Sequence, residues 1–283
     1  AAASAEAEYR AIREAVGLTD FSFLRCYRLP EERGIDYLDG KLAGNVAKIR
    51  FGRVLHTFLA GTDGLLAADV YVANNDQEFL VFCESIVPDG ELESLLAPGA
   101  SEAGLEDLSA SHVVLSLDGF KAWAVAKKLF GPDVLGLPYL SIETYPFEGI
   151  PIRLVRAGKT SEFGYLLLTP VAAAGQLFDV LRGEVMALEG QLCGADIHDD
   201  LRLEGRFFNI HAEGVRVGDP LALGLQWMID LEKPSFLGSE PILQRRAAGL
   251  QRKIVGVSLE PGSERLAVGG RVFLESEASG EEV

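Results

Sequence analysis

Residues 53–73 read Arg53-Val54-Leu55-His56-Thr57-Phe58-Leu59-Ala60-Gly61-Thr62-Asp63-Gly64-Leu65-Leu66-Ala67-Ala68-Asp69-Val70-Tyr71-Val72-Ala73. Two apolar, β-branched and aromatic runs flank an Asp63-Gly64 turn, which is the pattern of an antiparallel hairpin. A polar connection, Asn74-Asn75-Asp76-Gln77-Glu78, leads into Phe79-Leu80-Val81-Phe82-Cys83, so the block reads as an antiparallel meander. Towards the N-terminus, 26–29 is a short strand and 35–38 is helical. The first 20 residues read as a helix, with Tyr9, Ile12 and Val16 at helical spacing and Gly17 as its stop. Towards the C-terminus, 86–108 reads as a helix with its loop, 112–117 as a strand and 120–130 as a helix. Strands over 150–156 and 160–168 and a helix over 172–188 follow. Strand, strand, helix, repeated, belongs to an α+β fold and not to a doubly wound nucleotide fold.

A chain of 283 residues exceeds the usual domain of about 100–200, which predicts several modules. We expect an α+β module over 1–110 carrying Asp69 and a second over 111–249. The alternation of 253–259, then Gly269-Gly270-Arg271-Val272-Phe273-Leu274, reads as the start of a β-barrel module over 250–283. Roughly thirty residues are short for such a barrel, so it reads as incomplete. Lys and Arg number 26 against 42 Asp and Glu, a net charge of −16. That balance argues against a nucleic-acid binder and against an anionic membrane surface. No run approaches the roughly 20 apolar residues of a membrane span, and no basic-then-apolar leader opens the chain. Cys26, Cys83 and Cys193 are far apart and form no CxxC, so they read as buried hydrophobes in a cytoplasmic protein. His198-Asp199-Asp200 has no second ligand cluster at metal spacing, so no metal is expected.

Asp69 stands apart, as a carboxylate inside the apolar run Leu65-Leu66-Ala67-Ala68-Asp69-Val70-Tyr71-Val72. Burial would raise its pKa towards the range useful for proton transfer or for holding a cationic amine. Period-2 alternation offers the other reading, in which Asp69 simply faces solvent.

The segments Asp20-Phe21-Ser22-Phe23, Gly52-Arg53-Val54 and Asp63 to Asp69 resemble, in order, the glycine-cleavage T-protein (aminomethyltransferase) family, whose phrase here is of the type GRVxYTxxLNxxGGIxDDLxV. Arg156-Ala157-Gly158-Lys159-Thr160-Ser161-Glu162-Phe163-Gly164-Tyr165 is similar to RTGYTGEDGYE. Asp199-Asp200-Leu201-Arg202-Leu203-Glu204 is similar to ARDxLRLE, and 220–238 to PLEAGLGW followed by LDKGDFIG. The resemblance implies α+β modules with antiparallel sheets around a central channel that binds tetrahydrofolate. It implies one-carbon transfer from a small amine donor, with a lipoyl carrier protein as a partner. Asp69 takes the place of the acid that assists transfer; His56, Tyr71, Glu162, Tyr165, Leu166, His198 and Trp227 become candidate folate- or substrate-binding residues.

Several places depart from the family pattern. Leu166 replaces the Glu that reads the pterin edge, His198 replaces the Arg that pairs with the folate tail, and His56 replaces a Tyr. Ala68 and Ala222 replace two further acids, and Arg202 is expected to pair with Glu204 or Asp199. Loss of the Glu bonds costs about 2–4 kcal/mol, or roughly 30- to 1000-fold in affinity. A non-catalytic or retuned ligand-binding member, or a demethylase of the same fold, is therefore the alternative to aminomethyl transfer. The branch with KGCYxGQ is disfavoured because Ser235 holds the Cys place.

Overall fold

The computed structural model describes residues 4–75 and 77–263. Its strands are β1 (Gly17–Asp20), β2 (Arg25–Pro30), β3 (Val54–Ala60), β4 (Leu66–Asn75), β5 (Glu78–Ser85) and β6 (Glu106–Asp107). There follow β7 (His112–Asp118), β8 (Ser141–Phe147), β9 (Ile150–Arg156), β10 (Gly164–Pro170) and β11 (Gln191–Leu192). A six-stranded sheet has the order β11-β1-β7-β10-β9-β8 and a five-stranded sheet the order β3-β4-β5-β2-β6. Pairing is antiparallel between these strands except for the short β1–β11 contact, which is parallel. The fold is α+β with antiparallel sheets, as expected.

The meander is β3, β4 and β5. Gly64 turns its hairpin with φ +74, and a Cβ there would lie 2.9 Å from the Gly238 carbonyl oxygen, so only glycine fits. The helix expected over the first 20 residues is Ala5–Glu14, and Gly17–Asp20 is a strand instead. Its backbone pairs with Leu115–Asp118, and Val16 and Leu18 enter the core of the six-stranded sheet. The start of the chain therefore joins the later strands, so the sheets do not follow the 1–110 and 111–249 division. The helix Ser239–Ala248 and the edge strand β8, with Pro146 near its end, were not foreseen. The expected barrel finds no strand within 250–263, and its second run, 269–274, lies outside the described residues.

Of the five buried apolar clusters among the described residues, three hold the sheets and their helices. Helices Ala122–Phe130 and Val171–Ala187 cover one face of the six-stranded sheet, with Val125, Leu177 and Leu181 inserted. Helices Glu31–Lys41 and Asp89–Leu96 cover the outer face of the five-stranded sheet through Leu38, Leu92 and Leu96. Between the sheets lies a third core of Tyr71, Ala73, Phe82, Val155, Leu166 and neighbours. The cysteines are free and buried. No helix of the described residues is long and apolar enough to cross a membrane.

Candidate functional site

Both faces of β4 are covered, so its alternation sends no side chain to water. Val70 and Val72 enter the outer core, while Tyr71 and Ala73 enter the core between the sheets. Asp69 shares the inner face and is 2% exposed, which removes the solvent-facing reading. The β4–β5 register sets Glu84 directly opposite Asp69, and Glu84 is 5% exposed. Two buried carboxylates side by side repel each other unless cations intervene.

The cations come from outside the hairpin. Lys159, on the loop after β9, bonds the Asp69 Oδ2 atom and donates to Glu84 Oε2 at 2.8 Å. His56 Nε2 lies 2.7 Å from Asp69 Oδ1. On the helix Ile197–Gly205, Arg202 donates from Nη2 to Glu84 Oε1 at 2.8 Å, and His211 Nε2 stands 3.2 Å from the same oxygen. Burial pushes Asp69 up, but His56 and Lys159 outweigh it and hold the carboxyl below the ordinary range. For Glu84, too, Lys159, His211 and Arg202 outweigh burial and hold the carboxyl well below that range. The expectation of a raised Asp69 pKa is thus reversed: two charge partners overcome desolvation. Arg202 pairs with Glu84 and not with Glu204 or Asp199; Glu204 instead takes Arg13 at 2.7 Å.

Beside the cluster is a hollow of about 30 Å³, room for one or two waters. Its apolar wall is Phe21, Leu24, Phe82 and Leu166. Asp69, Tyr71, Glu84, Lys159, Arg202, Asp118 and His198 supply its polar lining. Asp118 has no cation in contact, and burial pushes it up to about 7 despite a bond from Ser116. Gly164 leaves room for that carboxyl, since a Cβ there would sit 2.9 Å from Asp118 Oδ1. His198 Nε2 meets Thr19 Oγ1 at 3.1 Å, and burial with the nearby Arg202 pushes its pKa down to about 3. His198 is therefore a neutral imidazole and offers no cation to a folate tail.

Of the expected site residues, Asp69, Tyr71, Leu166 and His198 line the hollow. His56 lies behind Asp69, its ring 4.4 Å from Tyr71, and Trp227, 63% exposed, stands edge-on 5.5 Å from His56. Neither lines the hollow, and the other two expected residues point elsewhere. Glu162 turns to Arg13 at 3.0 Å. Tyr165, next to Leu166 on β10, points by alternation into the core on the other face of its sheet. Glu84, Lys159 and Asp118 were missed. The connection at 74–78 sets the register that finds Glu84, and Lys159 stands at the Tyr of RTGYTG. No local signal marks Asp118, whose burial comes from β1 and β10 pairing on either side.

Among the described residues no cluster of His, Cys, Asp and Glu is placed to hold a metal. A pterin ring does not fit the present residues: the hollow is water-sized, Leu166 offers its edge no acceptor, and Lys159 occupies Asp69.

A family model described as the GCVT N-terminal domain matches residues 1–233. An aminomethyltransferase of Synechococcus sp. (strain RCC307) is 29% identical over 259 residues, covering 90% of this chain and 70% of that protein. An aminomethyltransferase of Mycobacterium leprae (strain Br4923) is 29% identical over 255 residues, covering 89% and 68%. The crystal structure of glycine cleavage system aminomethyltransferase T from Bartonella henselae shares the fold, with a TM-score of 0.72 at 20% identity. That match covers 86% of this chain, which spans 66% of the solved chain's length. With its collinear motifs and a family match over 1–233, the chain belongs to the glycine-cleavage T-protein (aminomethyltransferase) family.

Proposed function

We propose that this chain is a retuned member of its family, which binds a small charged ligand between its sheets and uses Asp69 as a fixed counter-ion. The observation that carries this reading is the Lys159 ammonium seated on both Asp69 and Glu84. A carboxylate held ionised by Lys159 and His56 is a poor proton acceptor at neutral pH, because efficient general bases titrate near the working pH. Leu166 and the neutral His198 add to the case, since the pterin-edge and tail contacts that tetrahydrofolate takes in this family have no charged partner here. Calorimetric titration with tetrahydrofolate tests it. No saturable heat is expected up to millimolar concentration, and micromolar binding would overturn it.

A second reading is folate-dependent one-carbon transfer from a small amine donor, with Asp69 as acid/base and a lipoyl carrier as partner. Relatives named aminomethyltransferase and the burial of Asp69 beside a hollow favour it. It requires Lys159 to leave Asp69 during the reaction. Single-turnover formation of methylenetetrahydrofolate, lost in Asp69→Asn, would support this second reading over the first.

A further inference from the structure

Three buried donor atoms at the hollow have no hydrogen-bond partner among the described residues: Arg202 Nε, Arg202 Nη1 and the Tyr71 hydroxyl. Arg202 is 3% exposed and Tyr71 6%, and both line the hollow. Buried donors are rarely left unsatisfied, so three on two residues that line one hollow mark a place for acceptors. The charges already present leave that place open to a guest. Lys159 and Arg202 balance Asp69 and Glu84. The remaining titratable groups of the lining, Asp118 below about pH 7 and His198, are neutral.

We infer that the hollow is a binding site for a small carboxylate of formate size, one oxygen of which accepts from a free guanidinium N–H of Arg202 and the other from the Tyr71 hydroxyl. Arg202 Nη2 is held by Glu84, so one free guanidinium N–H takes one carboxylate oxygen and the Tyr71 hydroxyl takes the other. The volume of about 30 Å³ sets the size limit: three heavy atoms fit, while each added methyl presses on Phe21, Phe82 and Leu166. Among the described residues the Tyr71 hydroxyl makes no close hydrogen bond, with the Tyr139 hydroxyl beside it, so its removal takes away little besides the contact. This inference rests on the proposed retuned site and names its ligand class.

The test is calorimetry on the full chain with sodium formate, acetate and propionate against sodium chloride at matched ionic strength. Saturable formate binding is expected, weaker for acetate and absent for propionate. Tyr71→Phe should weaken formate binding about 3- to 10-fold, the worth of one hydrogen bond, with an unchanged melting temperature. Arg202→Lys should abolish it. No saturable formate heat, equal response to chloride, or an unchanged affinity in Tyr71→Phe would overturn the inference. Tetrahydrofolate titrated in parallel separates the two levels: micromolar folate binding defeats the retuned reading itself, whereas silence with both ligands defeats only the carboxylate site.

Discussion

Lys159 neutralises two acids at once, so the cluster is most sensitive at that residue. Removing one partner of a buried ion pair typically costs about 3–5 kcal/mol, because the charge left behind stays desolvated. Lys159→Met should lower stability by about that much at pH 7, read from the urea midpoint. A loss under about 1 kcal/mol would mean the acids do not depend on it. Asp118 gives the opposite pH sign. Its folded pKa of about 7 lies above the ordinary 3.8, so its stability contribution is full below about pH 4 and is lost as pH rises through 7. Asp118→Asn removes that loss. The variant should gain on the wild type between pH 5 and pH 8, by at most about 3 kcal/mol, in denaturation curves at the two pH values. Asp69 was legible as a candidate because it interrupts an apolar run, while alternation left open whether it faces the core or solvent. Its titration was not, because Lys159 lies 90 positions away in sequence.

At the scale of elements, the β4–β5 hairpin brings Asp69 opposite Glu84, and the glycines of the 158–164 loop allow Lys159 and Asp118 to approach. A Cβ at Gly164 would lie 2.7 Å from the Ala157 carbonyl oxygen and 2.9 Å from Gly158 Cα, both backbone atoms that cannot rotate away. Gly164→Ala should therefore shift the loop, cost about 1–3 kcal/mol and lower the melting temperature by several degrees in calorimetry. An unchanged melting temperature would show that the loop yields freely. The meander could be read from its Asp-Gly and Asn-Asn turns, and the helix after β10 from its apolar spacing. β1 could not be read, because only pairing with β7 and β11 distinguishes Gly17–Asp20 from the end of a helix. Tyr165 and Leu166 show the same limit: alternation says they face opposite ways, but not which one meets the second sheet.

Across the whole molecule, two sheets face each other over a core that opens beside Asp69 into a water-sized hollow. The family and the α+β class were legible from motifs in order along the chain, since motif order reflects the fold even where single residues change. The charge balance inside the hollow was not, because it draws on two sheets, one loop and one helix. What separates a fixed counter-ion from a proton-transfer acid is where the Asp69 carboxyl titrates. Carbon-13 NMR of Asp side-chain carboxyls, with Asp69→Asn to assign the resonance, measures that directly. The expected result is a carboxyl that stays ionised from pH 8 down to the ordinary Asp value of about 4, with its midpoint below it. A midpoint between about 5 and 8, where general bases work, would contradict the counter-ion role.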